Sequence, residues 1–316
     1  MGLENDLISI IIPCFNEEEM VPLFYNKMAD IMAATQIVDF ELIFVNDGSV
    51  DETLDVLRQL SEADERVRYL SFSRNFGKEA AMFAGLQHAT GDYVAVMDVD
   101  LQDPPELLPV MYKTLKSEQW DCVGTKRVNR NGEPRIRSFF AASFYKVINR
   151  ISDNYIVDGA RDYRLMSRQM VDAILEMTEY NRFSKGIFTW VGFDTKYIEY
   201  RNVERPAGKT SWSFWGLFKY SLDGIVAFSD VPLAIASWVG FASFIVAIIL
   251  AIFFAVRTLI FGNATEGWTS LMVMILGMGG LQLLSLGIVG KYLGQTFLET
   301  KKRPIYILKE TDKDKK

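Results

Sequence analysis

Short uncharged apolar runs recur along the first two thirds of the chain, and each breaks abruptly into polar residues. Leu7-Ile8-Ser9-Ile10-Ile11-Ile12 ends in Pro13-Cys14-Phe15-Asn16-Glu17, Leu42-Ile43-Phe44-Val45 ends in Asn46-Asp47-Gly48-Ser49, and Tyr93-Val94-Ala95-Val96-Met97 ends in Asp98-Val99-Asp100-Leu101-Gln102-Asp103. Runs of this kind read as strands covered on both faces. Between the first two, Met20, Leu23, Phe24, Met28, Ile31 and Met32 return at helical spacing. Ser49 followed by Glu52 predicts a capping box at the head of a helix over 50–63. A short strand over 67–72 leads through Arg74-Asn75-Phe76-Gly77-Lys78 into an alanine-rich helix ending near Gly91. Pro104 and Pro105 suit the start of a helix over 104–117, ahead of a strand at 120–124. This alternation predicts an α/β domain built on a mostly parallel sheet with helices on both faces.

Beyond residue 124 the pattern changes. Arg127, Arg130, Arg135 and Arg137 surround a glycine-proline loop, and an aromatic stripe over 136–151 reads either as core packing or as a helix near lipid. Asp158-Gly159-Ala160-Arg161-Asp162-Tyr163-Arg164-Leu165 reads as a charged stretch ahead of another helix. A cation-rich loop over 200–211 follows. Trp212, Trp215, Phe218, Leu222, Ile225 and Val226 then mark one face of an amphipathic helix, suited to a bilayer interface or to domain packing. Residues 233–256 carry no charge, and as a helix they reach about 36 Å, enough for a hydrocarbon core of roughly 30 Å. A second such segment covers 271–289.

The expected organisation is a catalytic domain over 1–210, an amphipathic helix over 211–230, a two-helix transmembrane hairpin over 231–292 with spans near 233–256 and 270–290, and a C-terminal tail over 293–316 whose end, Lys309 to Lys316, reads as a solvated charge run. Lys291, Lys301, Lys302 and Arg303 flank the second span, whereas the connecting loop offers only Arg257. By the positive-inside rule both ends and the catalytic domain belong in the cytoplasm, at the inner (plasma) membrane. Small residues four apart (Ala236/Gly240, Ala247/Ala251, Gly290/Gly294) would let helices approach within the hairpin or between subunits of a homo-oligomer. The N-terminus runs at once into a strand, so no signal peptide is expected.

Composition sharpens this division. Hydrophobic residues make up 49% of the 316, and the mean hydropathy of +0.09 is high for a soluble protein, with the excess lying after about residue 230. A net charge of −6 and a pI near 5.1 argue against nucleic acid as a partner. Cys14 and Cys122 sit in apolar runs, without the count or spacing of a disulfide framework or a zinc site. His88, the single histidine, lies late in the alanine-rich helix, so catalysis has to proceed without imidazole.

Three polar clusters at three strand ends place a candidate site where open α/β sheets bind ligands. Asp98 and Asp100, leaving one face of a strand together, can grip a hard cation, and magnesium completes its shell with phosphate oxygens and water. Neither a Walker loop nor a G-x-G-x-x-G fingerprint is present, so carboxylate and metal are left to hold a diphosphate.

These clusters, with Asn75-Phe76-Gly77-Lys78-Glu79-Ala80, Leu101-Gln102-Asp103-Pro104-Pro105-Glu106 and Asp162-Tyr163-Arg164-Leu165, resemble in order the motifs of the family 2 inverting glycosyltransferases with the GT-A fold. The nearest likeness is to the polyprenyl-phosphate glycosyltransferases, which include bactoprenol glucosyltransferases and dolichyl-phosphate mannose synthases, and it extends over nearly the whole chain. It implies a membrane enzyme that moves a sugar from a nucleotide-sugar, UDP-glucose or UDP-N-acetylglucosamine foremost, to polyprenyl (undecaprenyl) phosphate with Mg2+ or Mn2+. By position, the resemblance gives Pro13, Asn16, Glu17 and Asp47 to the uridine, with Lys78 also at the donor. Asp98, Asp100 and Gln102 fall to the metal and diphosphate. Asp100 and Asp162 are the implied catalytic pair, Asp162 matching a base near the acceptor. Arg201, Arg205, Lys209 and Ser211 would hold phosphates of donor and lipid. A downstream flippase and an envelope glycosyltransferase would use the product. Asn46, where many relatives have aspartate, and Asp103, where mannose synthases often have histidine, depart from the pattern. A processive synthase would carry Gln-x-x-Arg-Trp, which is absent; a non-catalytic membrane scaffold or sensor is the alternative from another class.

Overall fold

The computed structural model describes residues 5–35, 37–128, 146, 148–151, 156–200, 223–261 and 267–314. In order, β1 (Asp6–Cys14), α1 (Met20–Ala34), β2 (Val38–Asn46), α2 (Thr53–Ala63), β3 (Val67–Phe72), α3 (Lys78–His88) and β4 (Tyr93–Val96) realise the expected alternation. There follow α4 (Leu108–Ser117), β5 (Cys122–Arg127), β6 (Ala160–Ser167), α5 (Arg168–Glu176), α6 (Ser184–Trp190) and β7 (Thr195–Tyr200). The last elements are α7 (Val231–Phe261), α8 (Trp268–Thr300) and β8 (Leu308–Thr311). The eight strands form one sheet in the order β7-β5-β6-β4-β1-β2-β3-β8. The β1, β2, β3 and β4 neighbours pair in parallel, as do β5 and β7, while β6 and β8 run antiparallel to their neighbours.

The uncharged strands are covered on both faces, as their sequence required. Ile8, Ile10, Ile12, Leu42 and Phe44 join Phe24 and Met28 of α1 in one core cluster. Ile11 and Ile43 are equally buried on the other face. There α3 lies so close that a Cβ at Gly85 would sit 2.2 Å from Ile11 Cγ2, which leaves room for glycine alone.

Three expectations are corrected and a fourth gains detail. The Ser49/Glu52 capping box does not form: α2 begins at Thr53 without a side-chain cap from Glu52, and Asp51 Oδ1 takes the Thr53 N–H and hydroxyl at 3.1 and 2.6 Å. Ser49 is used elsewhere, as described below. The charged stretch over 158–165 does precede a helix, α5, and is itself largely a strand, with Tyr163 and Leu165 fully buried and Arg164 across from Val96 of β4. The strand β4 stops at Val96, so Asp98 and Asp100 project from the turn after it and not from a strand face. Finally, the tail is not a solvated charge run. Leu308–Thr311 closes the β3 edge, Glu310 accepts from Arg58 Nε and Nη2 at 2.8 and 2.6 Å and from the Tyr69 hydroxyl at 2.7 Å, and Tyr306 stacks on Phe72 at 5.0 Å. Backbone pairing with an otherwise open strand edge, together with the bonds of Glu310 to Arg58 and Tyr69, outweighs the solvation of its charges.

The chain divides into two compact units, one of residues 1–224 with 304–316 and one of residues 225–303. The second is the pair α7 and α8, 31 and 33 residues long. The segments Val231–Phe254 and Met274–Thr300 are long and apolar enough to cross a membrane, and none of either is buried in the protein.

Candidate functional site

Register sets where the site lies. Cys14 stands opposite Asn46 and Ile11 opposite Val96, so the segments leaving β1, β2 and β4 share one rim at the carboxyl edge of the sheet. On the other side of β4, antiparallel β6 pairs Val96 with Arg164. Continuing that register by two residues brings Asp98 across from Asp162.

Two loops build the first wall. Asn16, at φ 55°, donates its N–H to Ser49 Oγ and accepts from the Val50 N–H with Oδ1, both at 2.9 Å. Asparagine is among the few residues that adopt this left-handed conformation readily. Glu17 N–H donates to Thr53 Oγ1 at 2.8 Å. Asn16 thus ties together the loops that leave β1 and β2, and Ser49 accepts a bond here in place of capping α2. Pro13 is half-buried in β1 opposite Val45. Asn46 fits the wall without a second charge, donating Nδ2 to Ser71 Oγ and accepting the Ser49 N–H.

Asp47 is buried beneath this wall. Its two oxygens accept the N–H groups of Phe76 and Gly77 at 2.6 and 2.9 Å, which fixes the segment that opens α3. Burial pushes its carboxyl up to about 6, against the opposing pull of those two N–H groups and of Arg74. Gly48 beside it has φ 67°, and a Cβ there would lie 2.3 Å from the Arg74 carbonyl carbon.

The second wall is the turn after β4. Asp100 Oδ1 accepts the Gln102 N–H at 3.1 Å, and Leu101 between them is held at φ 55°. A bulky residue in that region is strained, and such strain concentrates at functional turns. Burial first, then the charge of Asp98, raises the Asp100 carboxyl to about 6.

Lys78, the first residue of α3, joins the walls. Its Nζ lies 2.6 Å from Asp98 Oδ1 and 2.7 Å from Asp162 Oδ2. Burial works to lower the lysine's affinity for its proton, but the two carboxylates outweigh it and raise it above the ordinary range. Burial likewise disfavours the Asp162 anion, yet Lys78 and Lys185 hold its carboxyl well below the usual carboxylate range. The three predicted side chains therefore meet as one ion cluster.

A neighbouring cluster escaped the sequence. Asp103, only 2% exposed, accepts from Arg161 Nε at 3.1 Å and from the Tyr200 hydroxyl. Asp103 and Tyr200 hydrogen-bond across 97 residues, so no local spacing announces them. Glu79, next to Lys78, accepts the N–H and hydroxyl of Ser184 at the head of α6. Arg164 lies over the Phe188 ring at 3.7 Å. His88 stands in the last turn of α3 with Nδ1 2.9 Å from the Ala84 carbonyl oxygen, a helix length from Lys78. Arg201, Arg205, Lys209 and Ser211 lie outside the described residues, as do Arg130, Arg135, Arg137 and most of the expected amphipathic helix.

Among the described residues no three His, Cys, Asp or Glu side chains form a metal cage. The donor set suits a different arrangement. Asp98 and Asp100 are half-buried carboxylates close enough for the charge of one to raise the other, which favours a shared hard cation whose remaining ligands come from a phosphate and water.

Over residues 9–175 the chain matches the family described as Glycosyl transferase family 2. It is 44% identical to a putative glycosyltransferase, CsbB, of Bacillus subtilis, over 98% of this chain and 93% of that protein. It is also 44% identical to a prophage bactoprenol glucosyl transferase homolog of Escherichia coli, over 97% of this chain and 99% of that protein. Among solved structures, mannosyl-3-phosphoglycerate synthase from Rubrobacter xylanophilus is 15% identical with a TM-score of 0.48, over 70% of this chain and 72% of that one.

Proposed function

The chain belongs to glycosyl transferase family 2 and is a glycosyltransferase of GT-A fold; from that premise we propose that it transfers a sugar from a nucleotide-sugar to a polyprenyl phosphate at a membrane. UDP-glucose is the first candidate donor, with UDP-N-acetylglucosamine next. The acceptor reading draws on the bactoprenol glucosyl transferase names of relatives aligned over almost their whole length. The observation that carries the reaction is the meeting of Asp98 and Asp162 through Lys78, which sets a diphosphate-handling carboxylate beside an acceptor-side carboxylate.

The reaction is one in-line displacement. A phosphate oxygen of the lipid attacks the sugar C1, the bond from C1 to the diphosphate oxygen breaks, and UDP departs with the electron pair, inverting C1. Since a phosphate monoester has a second pKa of about 6, the nucleophile is already largely ionised at neutral pH. Asp162, held strongly acidic, is a poor proton acceptor, so its work is to orient the acceptor and to fix Lys78. Asp98, Asp100 and Gln102 face the diphosphate. A bound Mg2+ or Mn2+ would supply neutralisation of the leaving group there. Asn16 and Glu17 shape the nucleoside end through the loops they brace, and Arg201, Arg205, Lys209 and Ser211 are the candidates for the lipid phosphate.

Membrane attachment rests on α7 and α8. At about 1.5 Å per residue each exceeds the roughly 30 Å of a hydrocarbon core. Both ends of this pair join the first unit, as a re-entering hairpin requires. The lysines and arginine at 291 and 301–303 support, by the positive-inside rule, a cytoplasmic side for those ends and for the catalytic unit.

The test is transfer of labelled sugar from a panel of UDP- and GDP-sugars to undecaprenyl phosphate by the purified full-length chain, with Mg2+ or Mn2+. Labelled lipid from one donor, lost in Asp100→Asn and reduced less in Asp162→Asn, is the expected result. No labelled lipid from any donor would overturn the acceptor assignment, and equal loss in the two variants would make Asp162 a base.

A further inference from the structure

Lys78 has two anionic partners at hydrogen-bonding distance and belongs to neither wall. Its ammonium carries three donors, of which Asp98 Oδ1 and Asp162 Oδ2 take two. The oxygen it occupies on Asp98 belongs to the carboxylate that would reach a divalent cation. A cation and an ammonium cannot both sit within about 3 Å of one carboxylate oxygen without strong repulsion.

We propose that Lys78 is a positioning residue that competes with the divalent cation for Asp98 while keeping hold of Asp162. When the cation takes Asp98, Lys78 loses one partner and keeps the other, leaving two N–H donors to turn to an oxygen of the arriving diphosphate. Lys78 thereby ties occupation of the donor side to the placement of Asp162 on the acceptor side. Its backbone favours this role: the segment before it is clamped by Asp47, so the ammonium pivots from a fixed base. Glu79 is anchored to Ser184 and so restrains the same first turn from the other side. The proposal rests on Asp98 being a metal ligand, and the experiment separates the two claims.

Binding of Mn2+ alone, without nucleotide, is measured on the purified full-length chain in detergent by the electron paramagnetic resonance signal of free Mn2+. Lys78→Met, of similar length and uncharged, should tighten binding by about tenfold or more, as expected when a charge-assisted hydrogen bond stops competing. Lys78→Arg, which still pairs with both carboxylates, should stay within about threefold of wild type. Lys185→Met removes another charge that acts on Asp162 and should also change binding by less than about threefold, since it bears on the acceptor-side carboxylate and not on Asp98. Unchanged binding in Lys78→Met, or equal tightening in Lys185→Met, would overturn the proposal. Binding that survives Asp98→Asn would instead overturn the assignment of Asp98 to the metal. A second measurement needs no variant: saturating Mn2+ should raise amine-reagent modification of Lys78, read by mass spectrometry, while Lys27, paired with Glu106 at 2.6 Å, stays constant. Modification of Lys78 that ignores Mn2+ would also sink the idea.

Discussion

Gly48 and Gly192 form a natural pair for measuring what the loop clamp contributes. Both have positive φ, 67° and 75°, but a Cβ at Gly48 would meet the carbonyl carbon of Arg74 at 2.3 Å and the nitrogen of Asn75 at 2.6 Å, while nothing lies within 4 Å of one at Gly192. Gly192→Ala therefore isolates the left-handed conformation, about 1–2 kcal/mol. Gly48→Ala adds a backbone collision, and Arg74 and Asn75 must retreat by about 1 Å or more to regain ordinary contact distance. The next two residues carry the N–H groups that hold Asp47. Losing one of those bonds to a buried carboxylate adds about 1.5–3 kcal/mol, for a total of about 2.5–5. At about 2–4 °C per kcal/mol for a unit of this size, the melting midpoint should fall by about 5–20 °C, at least twice the fall in Gly192→Ala. Thermal unfolding of the two variants by circular dichroism, with donor KM measured alongside, checks this; only Gly48→Ala should raise KM. Equal falls, or an unchanged KM in Gly48→Ala, would refute the view that Asp47 acts through the segment at the head of α3.

Further outcomes follow from the other clusters. Asp103→Ala strips Arg161 of its buried partner and should destabilise by about 3–5 kcal/mol, whereas the double variant Asp103→Leu/Arg161→Met should recover at least half of that, both read by melting. The Asp100 carboxyl sits at about 6, so protons compete with Mn2+ as the pH falls through that value. Affinity should drop by about tenfold per unit below it and level off above neutrality, and a flat profile from pH 5 to 8 would remove Asp100 from the ligand set. Glu310→Gln weakens a part-exposed pair with Arg58 and should cost about 0.5–1 kcal/mol, less in high salt. Deleting residues 304–316 uncovers the β3 edge, and size-exclusion chromatography should then show association that the Glu310 variant does not.

Local pattern determined much of this protein. The uncharged runs ending at Ile12, Val45 and Val96 are buried strands because an element covered on both faces has no place for charge, and the polar residues after them mark the rim that carries the candidate site. The two long apolar helices were equally legible, since length and hydropathy are properties of a single segment. Only the tertiary structure decided which charges meet. Asp98 faces Asp162 because antiparallel β6 lies against β4 in one register, and Asp103 finds Tyr200 because β7 closes beside β5. The tail became β8 because β3 offered it an open edge. Side-chain periodicity reports how one element is buried, but the partner of a charged group depends on strand order and register, which no spacing within the chain encodes.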